Sequence, residues 1–239
     1  MPFYDIAGLT VRMNNCGGRS EKQAIPYLAK NQDPEQHFDI DINVDKKRVE
    51  IAMREHPELN ANDWEYMLTG SDFYTDLIKF NGILLHSSCV VVDGVAYAFS
   101  ADSGTGKSTH TGLWLKHFGS ERAFIVNDDK PIVRKIDETY YVCGTPWSGK
   151  NNIQRNTMVP LQAIAYVVRN PENSIERMEP KDALPLLFEQ TVYRVNENLM
   201  GLLLDRLDDL LRTVPVYRLR CNISDEAVCV AHGAMSGGI

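Results

Sequence analysis

Residues 101–108 read Ala-Asp-Ser-Gly-Thr-Gly-Lys-Ser, a spacing of small residues, one ammonium and one hydroxyl that suits a polyphosphate. Glycines let successive backbone N–H groups turn inward around phosphate oxygens. A helix opening near Ser108 would present its positive dipole end to the same anion. Lys107 can then reach the β- and γ-phosphates, and the Ser108 hydroxyl can ligate Mg²⁺. Ala101 stands where the usual pattern has its first glycine. Nucleotide contacts are therefore expected from Ser103, Gly104, Thr105, Gly106, Lys107 and Ser108, with ATP or GTP and Mg²⁺ as the ligands. No residue identifies the base.

Two further features bear on the chemistry. Asp128-Asp129 follows the apolar run Ala123–Asn127. One carboxylate could hold Mg²⁺, directly or through water, since that ion takes oxygen ligands and keeps several waters. The other could accept the proton of an attacking hydroxyl. A turn carrying two solvated acids is the plainer alternative. Upstream, Cys89–Val92 and Val95–Phe99 flank Asp93-Gly94, the strongest short-range signal for a hairpin. If that turn has two residues, Val92 faces Val95 and His86 falls opposite Ala101, beside the first residue of the glycine-rich loop. A bulge would shift the register by one, and a histidine at a strand end can be simple surface.

The elements that must position these residues follow from hydrophobic period. A helix is predicted from about Ser108 to Phe118, closed by Gly119, and a second hairpin over Ile132–Ile136 and Thr139–Cys143 around Asp137-Glu138. Ala163–Val168 and Val216–Cys221 read as strands. Helices are predicted over Lys181–Gln190, over Asn198–Arg212 with a leucine stripe at 199, 202, 203, 207, 210 and 211, and after Ser224. Gly144–Asn152 reads as a loop. Its stretch Thr145–Asn152 could bind a second anion or the phosphoryl acceptor through Lys150, or be purely structural. Arg155 is a weaker candidate for contact with transferring charge. His110, His117 and His232 read as ordinary helix residues.

The first part of the chain is harder to read. Phe38–Val44 alternates like a half-exposed strand, and Val11–Gln32 reads as loop with at most a short helix. Asn62 is expected to cap a helix carrying Trp64, Met67 and Leu68, broken at Thr69–Asp72 and resumed through Phe73, Leu77 and Phe80. Together these elements predict a single α/β domain over 1–239 with a mixed β-sheet. Residues 1–75 would form an N-terminal lobe or extension, and 76–239 the nucleotide-binding core.

Bulk properties narrow the partners. The 239 residues are 44% hydrophobic and carry a formal net charge of −7, which argues against a general nucleic-acid surface. Neither a signal peptide nor an apolar run of membrane-spanning length is legible, so a cytoplasmic protein is expected. The five cysteines (16, 89, 143, 221 and 229) show no close pairing that would indicate zinc or a disulfide framework. A homo-oligomer is left open.

The motif set resembles the HPr kinase/phosphorylase and phosphoenolpyruvate carboxykinase group. The matching residues are His86, the hairpin, Ser103–Thr109 and Asp128-Asp129, within residues 80–150. The resemblance implies a histidine upstream of the phosphate loop, matched by His86, which lies 21 residues before Lys107. It implies Asp128 as general base, Asp129 as a magnesium ligand, and Thr109 near the α-phosphate. Two departures stand out. The glycine-rich C-terminal signature with which HPr kinases engage HPr has no counterpart, and the chain is far shorter than a carboxykinase. The resemblance therefore implies a compact HPr-kinase-like protein with an ATP- and Mg²⁺-dependent kinase activity. The acceptor would be a hydroxyl, on a protein, a peptide or a small molecule. The competing readings are a non-catalytic nucleotide-binding switch or scaffold, and a kinase that also runs the phosphorylase reaction.

Overall fold

The computed structural model describes residues 1–14, 17–149, 151–191 and 195–237. Among these described residues it is a mixed α/β fold in which seven α-helices surround two sheets. The smaller sheet is built from β1 (Phe3–Ile6), β2 (Leu9–Met13) and β3 (Ile40–Ile42). β1 and β2 form an antiparallel hairpin, and β3 adds to β2 in parallel. Around it lie α1 (Gly18–Ala24), α2 (Lys46–Glu55) and α3 (Ala61–Leu77).

Three expectations for this region are corrected. β1 and β2 form strands where none was expected, β2 taking the start of the stretch read as loop, while α1 is the short helix allowed there. The cap of α3 is Asn60, whose side chain accepts from the N–H groups of Asn62 and Asp63, while the Asp63 carboxylate accepts from the Asn60 N–H. That is a reciprocal capping box. Nor does α3 break at Thr69–Asp72. The Thr69 hydroxyl bonds back to the Glu65 carbonyl at 2.8 Å within the helix. A Cβ at Gly70 would meet Trp147 Cδ1 at 3.0 Å. Glycine here lets an indole lie against the helix backbone, which offsets its low helix propensity.

The larger sheet has nine strands among the described residues. Its path runs β4 (Gly82–Leu84), β8 (Ile132–Ile136), β9 (Thr139–Cys143), β10 (Met158–Arg169), β6 (Val95–Ser100), β5 (Ser87–Val92) and β7 (Ala123–Asn127). β12 (Val216–Cys221) pairs with β10, and β11 (Ser174–Arg177), not foreseen, pairs with β12. β10 serves three partners along its length: antiparallel β9 at 158–160, then parallel β6 and parallel β12.

The central strands are buried on both faces, and their period of two assigns each side chain to a layer. Cys89, Val91, Ala96 and Ala98 pack toward α5 (Pro180–Glu189) and α6 (Glu197–Thr213), whose leucines 199, 203, 207, 210 and 211 are buried there. Leu202 packs against the same core from a partly buried position. Val90, Val92, Tyr97 and Phe99 pack on the other face with Trp114 of α4 (Lys107–Phe118) and Val228 of α7 (Asp225–Ser236). A third cluster joins the small sheet and α3 to Ile132, Cys143 and Trp147. No helix is long and apolar enough to cross a membrane among the described residues. Cys89, Cys143, Cys221 and Cys229 are free thiols, and Cys16 lies outside the described residues.

Candidate functional site

Strand register brings the chemistry-bearing residues to one end of the large sheet. β5 pairs with β6 from Val92↔Val95 to Ser87↔Ser100, so the hairpin has its two-residue turn, and the ladder stops one residue short of His86 and Ala101. β7 is antiparallel to β5, with Ala123 beside Val92 and Asn127 beside Cys89. Hence β6 and β7 run the same way. The glycine-rich loop leaves the end of β6 at the same edge where Asp128 and Asp129 leave the end of β7.

The loop is shaped by its own backbone and a few long side chains. Gly104 and Gly106 take φ of +78° and +117°, values open to glycine and costly for other residues. Gly106 is the N-cap of α4, which starts at Lys107. Lys107 Nζ donates to the carbonyl oxygens of Ala101 at 2.8 Å and Asp102 at 3.4 Å, closing the loop on itself. Burial lowers the Lys107 pKa, and the nearby charges of Asp129, Asp102 and Asp128 oppose that shift. The loop lysine and both acids therefore share one electrostatic environment.

The outer side of the loop is clamped by β10. Arg169 donates to the carbonyl oxygens of Thr105 (2.8 Å) and Gly104, and the Tyr166 hydroxyl donates to Asp102 Oδ1 at 2.9 Å. In a planar trans peptide the N–H opposes the C=O. Turning the Thr105 carbonyl toward Arg169 thus turns the Gly106 N–H the other way. Ser103, Ser108 and Thr109 are exposed. A cavity of about 650 Å³ opens beside Thr105, Gly106 and Thr109 and is walled by Arg169 and Asn222.

The two acids are held differently. Asp128 is buried, and its Oδ1 accepts from Ser88 Oγ at 2.7 Å and its Oδ2 from Asn151 Nδ2 at 3.1 Å. Ser88 Oγ lies 2.7 Å from Thr111 Oγ1, which in turn bonds to the Lys107 and Ser108 carbonyls. A chain of hydroxyls thus ties Asp128 to the first turn of α4. Asp129 faces His86 Nε2 at 3.3 Å and Lys130 Nζ at 3.4 Å. Burial disfavours its ionisation, but His86 and Lys130 outweigh that and hold the Asp129 carboxyl below the usual carboxylate range. His86 is oriented in turn by Gln190 at the end of α5, through Nδ1 to Oε1 at 3.1 Å and its own N–H to the Gln190 carbonyl at 2.7 Å.

The turn that presents these acids depends on Asn127. Its Oδ1 accepts from the N–H groups of Asp129 and Lys130, and its Nδ2 donates to the Thr145 and Trp147 carbonyls. An Asx side chain bonding backbone two residues on is itself a turn signal, and it is the cue that could have identified Asn127. Loop 144–149 closes over the acids. A Cβ at Gly149, where φ is +68°, would lie 2.8 Å from Asp129 Cβ. Trp147 anchors this loop in the N-terminal region, stacked on Phe73 at 5.0 Å with its Nε1 donating to Thr69 Oγ1 at 3.3 Å.

Other expected residues lie elsewhere. Arg155 is exposed with its guanidinium 4.6 Å from the Phe124 ring, toward the Asp93-Gly94 end of the sheet and away from the acids. Lys150 lies outside the described residues. His110 is buried, accepts from Trp114 Nε1 at 3.0 Å, and is pushed down to about 4 by burial, so it is a neutral packing residue. Sequence reading missed Asn127, Ser88, Thr111 and Arg169. Ser88 and Thr111 carried no signal because only the β5–α4 packing brings them together.

No family model matches the chain, and no curated protein matches it. Among solved structures it is similar to the Hpr(Ser) kinase/phosphatase from Coxiella burnetii, at 9% identity and a TM-score of 0.34, covering 63% of this chain and 95% of that one. Similarity at that level leaves the chemistry to be argued from this chain's own residues.

Proposed function

We propose that the protein binds a nucleoside triphosphate with Mg²⁺ at loop 101–109 and transfers a phosphoryl group to a hydroxyl acceptor. The observation that carries this reading is the convergence of a glycine-bent loop, Lys107 and the Asp128–Asp129 pair at one sheet edge. Inward N–H groups and the start of α4 would take the phosphates, and the adjoining cavity has room for the nucleoside. Lys107 would leave the Ala101 carbonyl for the β- and γ-phosphates. Thr109 lies one residue beyond, on the side of that cavity. The Ser108 hydroxyl and a carboxylate of the pair are an all-oxygen donor set, which fits Mg²⁺. When bound, the ion would supply charge neutralisation of the phosphate oxygens.

Asp128 is assigned as the base that accepts the acceptor's proton, with Asp129 toward the metal and His86 adding positive charge to the site. Catalysis of this kind rests on positioning and charge stabilisation. One observation favours exchanging the two acids. Asp128 is wired to the helix that carries Ser108, whereas Asp129 forms a dyad with His86. Asp128→Asn and Asp129→Asn separate the assignments. With Asp128 as base, Asp128→Asn loses transfer of label from γ-labelled ATP but keeps nucleotide affinity, and Asp129→Asn raises the Mg²⁺ concentration needed. The opposite pattern reverses the roles. Undiminished transfer in both variants would sink the reading. Tight ATP binding without transfer to any acceptor or to water would favour a nucleotide-dependent switch instead.

A further inference from the structure

The N-terminal region places a cation against Tyr66, beside the loop that covers the acid pair. The Arg19 guanidinium lies 4.2 Å from the centre of the Tyr66 ring, and Lys130 Nζ lies 5.2 Å from the same ring. Tyr66 is itself seated on the site, because its hydroxyl accepts from the Gly149 N–H at 3.3 Å and Gly149 abuts Asp129. Arg19 forms no ion pair among the described residues, and its Nη2 is buried without a hydrogen-bond partner. Ser20 Oγ, next in α1, is also buried and unpartnered. The helix is fastened to the loop over the acids, since Gln23 Nε2 donates to Ser148 Oγ at 3.1 Å and Asn152 Oδ1 at 2.8 Å.

A buried donor without an acceptor is costly, and a guanidinium is most costly of all. Two cations against one ring also repel, and Lys130 already shares its single acid, Asp129, with His86. An oxyanion placed here would satisfy the Arg19 fork, which suits carboxylate and phosphate geometry, and relieve that repulsion. In a chain of net charge −7, such a local cationic seat also opposes the general repulsion of an acidic partner.

We propose that Arg19, Lys130 and the Tyr66 ring form the seat for an anionic group, a carboxylate or a phosphate monoester, carried by the molecule that receives the phosphoryl group. The assignment to the acceptor rests on the transfer reading above. The seat itself is tested without it.

The test uses the full chain with Lys107→Ala, so that the glycine-rich loop does not contribute its ammonium. Calorimetric titrations with inorganic phosphate and with malonate are run with and without Arg19→Gln. Arg19→Gln should weaken at least one probe about tenfold or more, the scale of a charge-assisted pair. Arg19→Lys, which keeps the charge and loses the fork, should fall between. Should Arg19→Gln fail to fold by circular dichroism, the lysine variant carries the comparison. Phosphate favoured over malonate points to a phosphorylated acceptor, and the reverse to a carboxylate. Binding of neither anion, or equal binding with and without Arg19, overturns the seat. A parallel titration of ATP into the chain with Lys107 intact reports on the loop alone. If ATP does not bind while anion binding still depends on Arg19, the transfer reading fails and the seat stands. If ATP binds and the anions ignore Arg19, only the seat fails.

Discussion

The two loops that meet at the acid pair are held by opposite means. Loop 101–106 is exposed at Asp102, Ser103 and Gly104, and its shape comes from positive-φ glycines, the lysine that closes it, and the β10 side chains Tyr166 and Arg169. Loop 144–149 is mostly buried, and its shape comes from α3, more than 70 residues earlier in the chain, through Trp147, Thr69 and Tyr74. The first is held by polar contacts, and a ligand phosphate could take over at least that of Lys107 with the Ala101 carbonyl. The second is fixed before any ligand arrives and imposes that geometry on Asp128 and Asp129. In the proposed reaction this separates an adaptable nucleotide side from a rigid acceptor side, and it makes the N-terminal region part of the site.

Substitutions should expose this difference. The largest effect is expected from Trp147→Ala, which empties a buried aromatic site and should cost about 3–5 kcal/mol in denaturant unfolding, with loss of transfer as the acids lose their cover. If transfer survives with normal acceptor dependence, the rigid-side interpretation is wrong. Lys107→Ala should behave in the opposite way. It should lower transfer by about 10²–10³, the range for removing one preorganised stabilising group, and shift the melting temperature little.

Two glycines give a finer contrast. Both Gly104 and Gly149 have positive φ, but a Cβ at Gly104 meets nothing within 4 Å, whereas one at Gly149 strikes Asp129. Each alanine should cost about 1–2 kcal/mol from backbone strain. Only Gly149→Ala should also displace Asp129 and raise the Mg²⁺ requirement. Equal metal dependence in the two variants would erase the distinction.

The smallest effect concerns acid. Asp129 has a folded-state pKa below the ordinary 3.8, so its contribution is complete above that value and is lost as pH falls through the folded pKa. Melting temperatures of the wild type should therefore fall more steeply below pH 3.8 than those of Asp129→Asn. Parallel curves would show that the His86–Asp129 contact contributes nothing.

Much of the sheet edge was legible because its signals are local. An Asp-Gly turn set the β5–β6 register, and a glycine-rich segment between a strand and a lysine-led helix marked the loop. The leucine stripe of α6 followed from the helical period alone. Residues 3–77 were legible in part, since β3 lies within the alternating stretch 38–44 and α3 carries Trp64, Met67 and Leu68, but other cues there mislead. Gly70 looks like a helix break until Trp147 is known to lie against it, and Arg19 sits in a polar stretch with no periodicity. Arg155, a weaker candidate for contact with transferring charge, packs on Phe124 because its backbone N–H bonds to the Val126 carbonyl of β7.

The sequence by itself determined which groups could handle phosphate and protons, since residue type, turn chemistry and strand period act over a few positions. Only the tertiary structure decided how the acids are seated: Ser88 and Thr111 on one, His86 and Lys130 on the other, and an N-terminal arginine close by. Such relations join residues far apart in the chain, as between Gln23 and Asn152, 129 positions apart. They depend on how side-chain layers pack, and no local pattern encodes that packing.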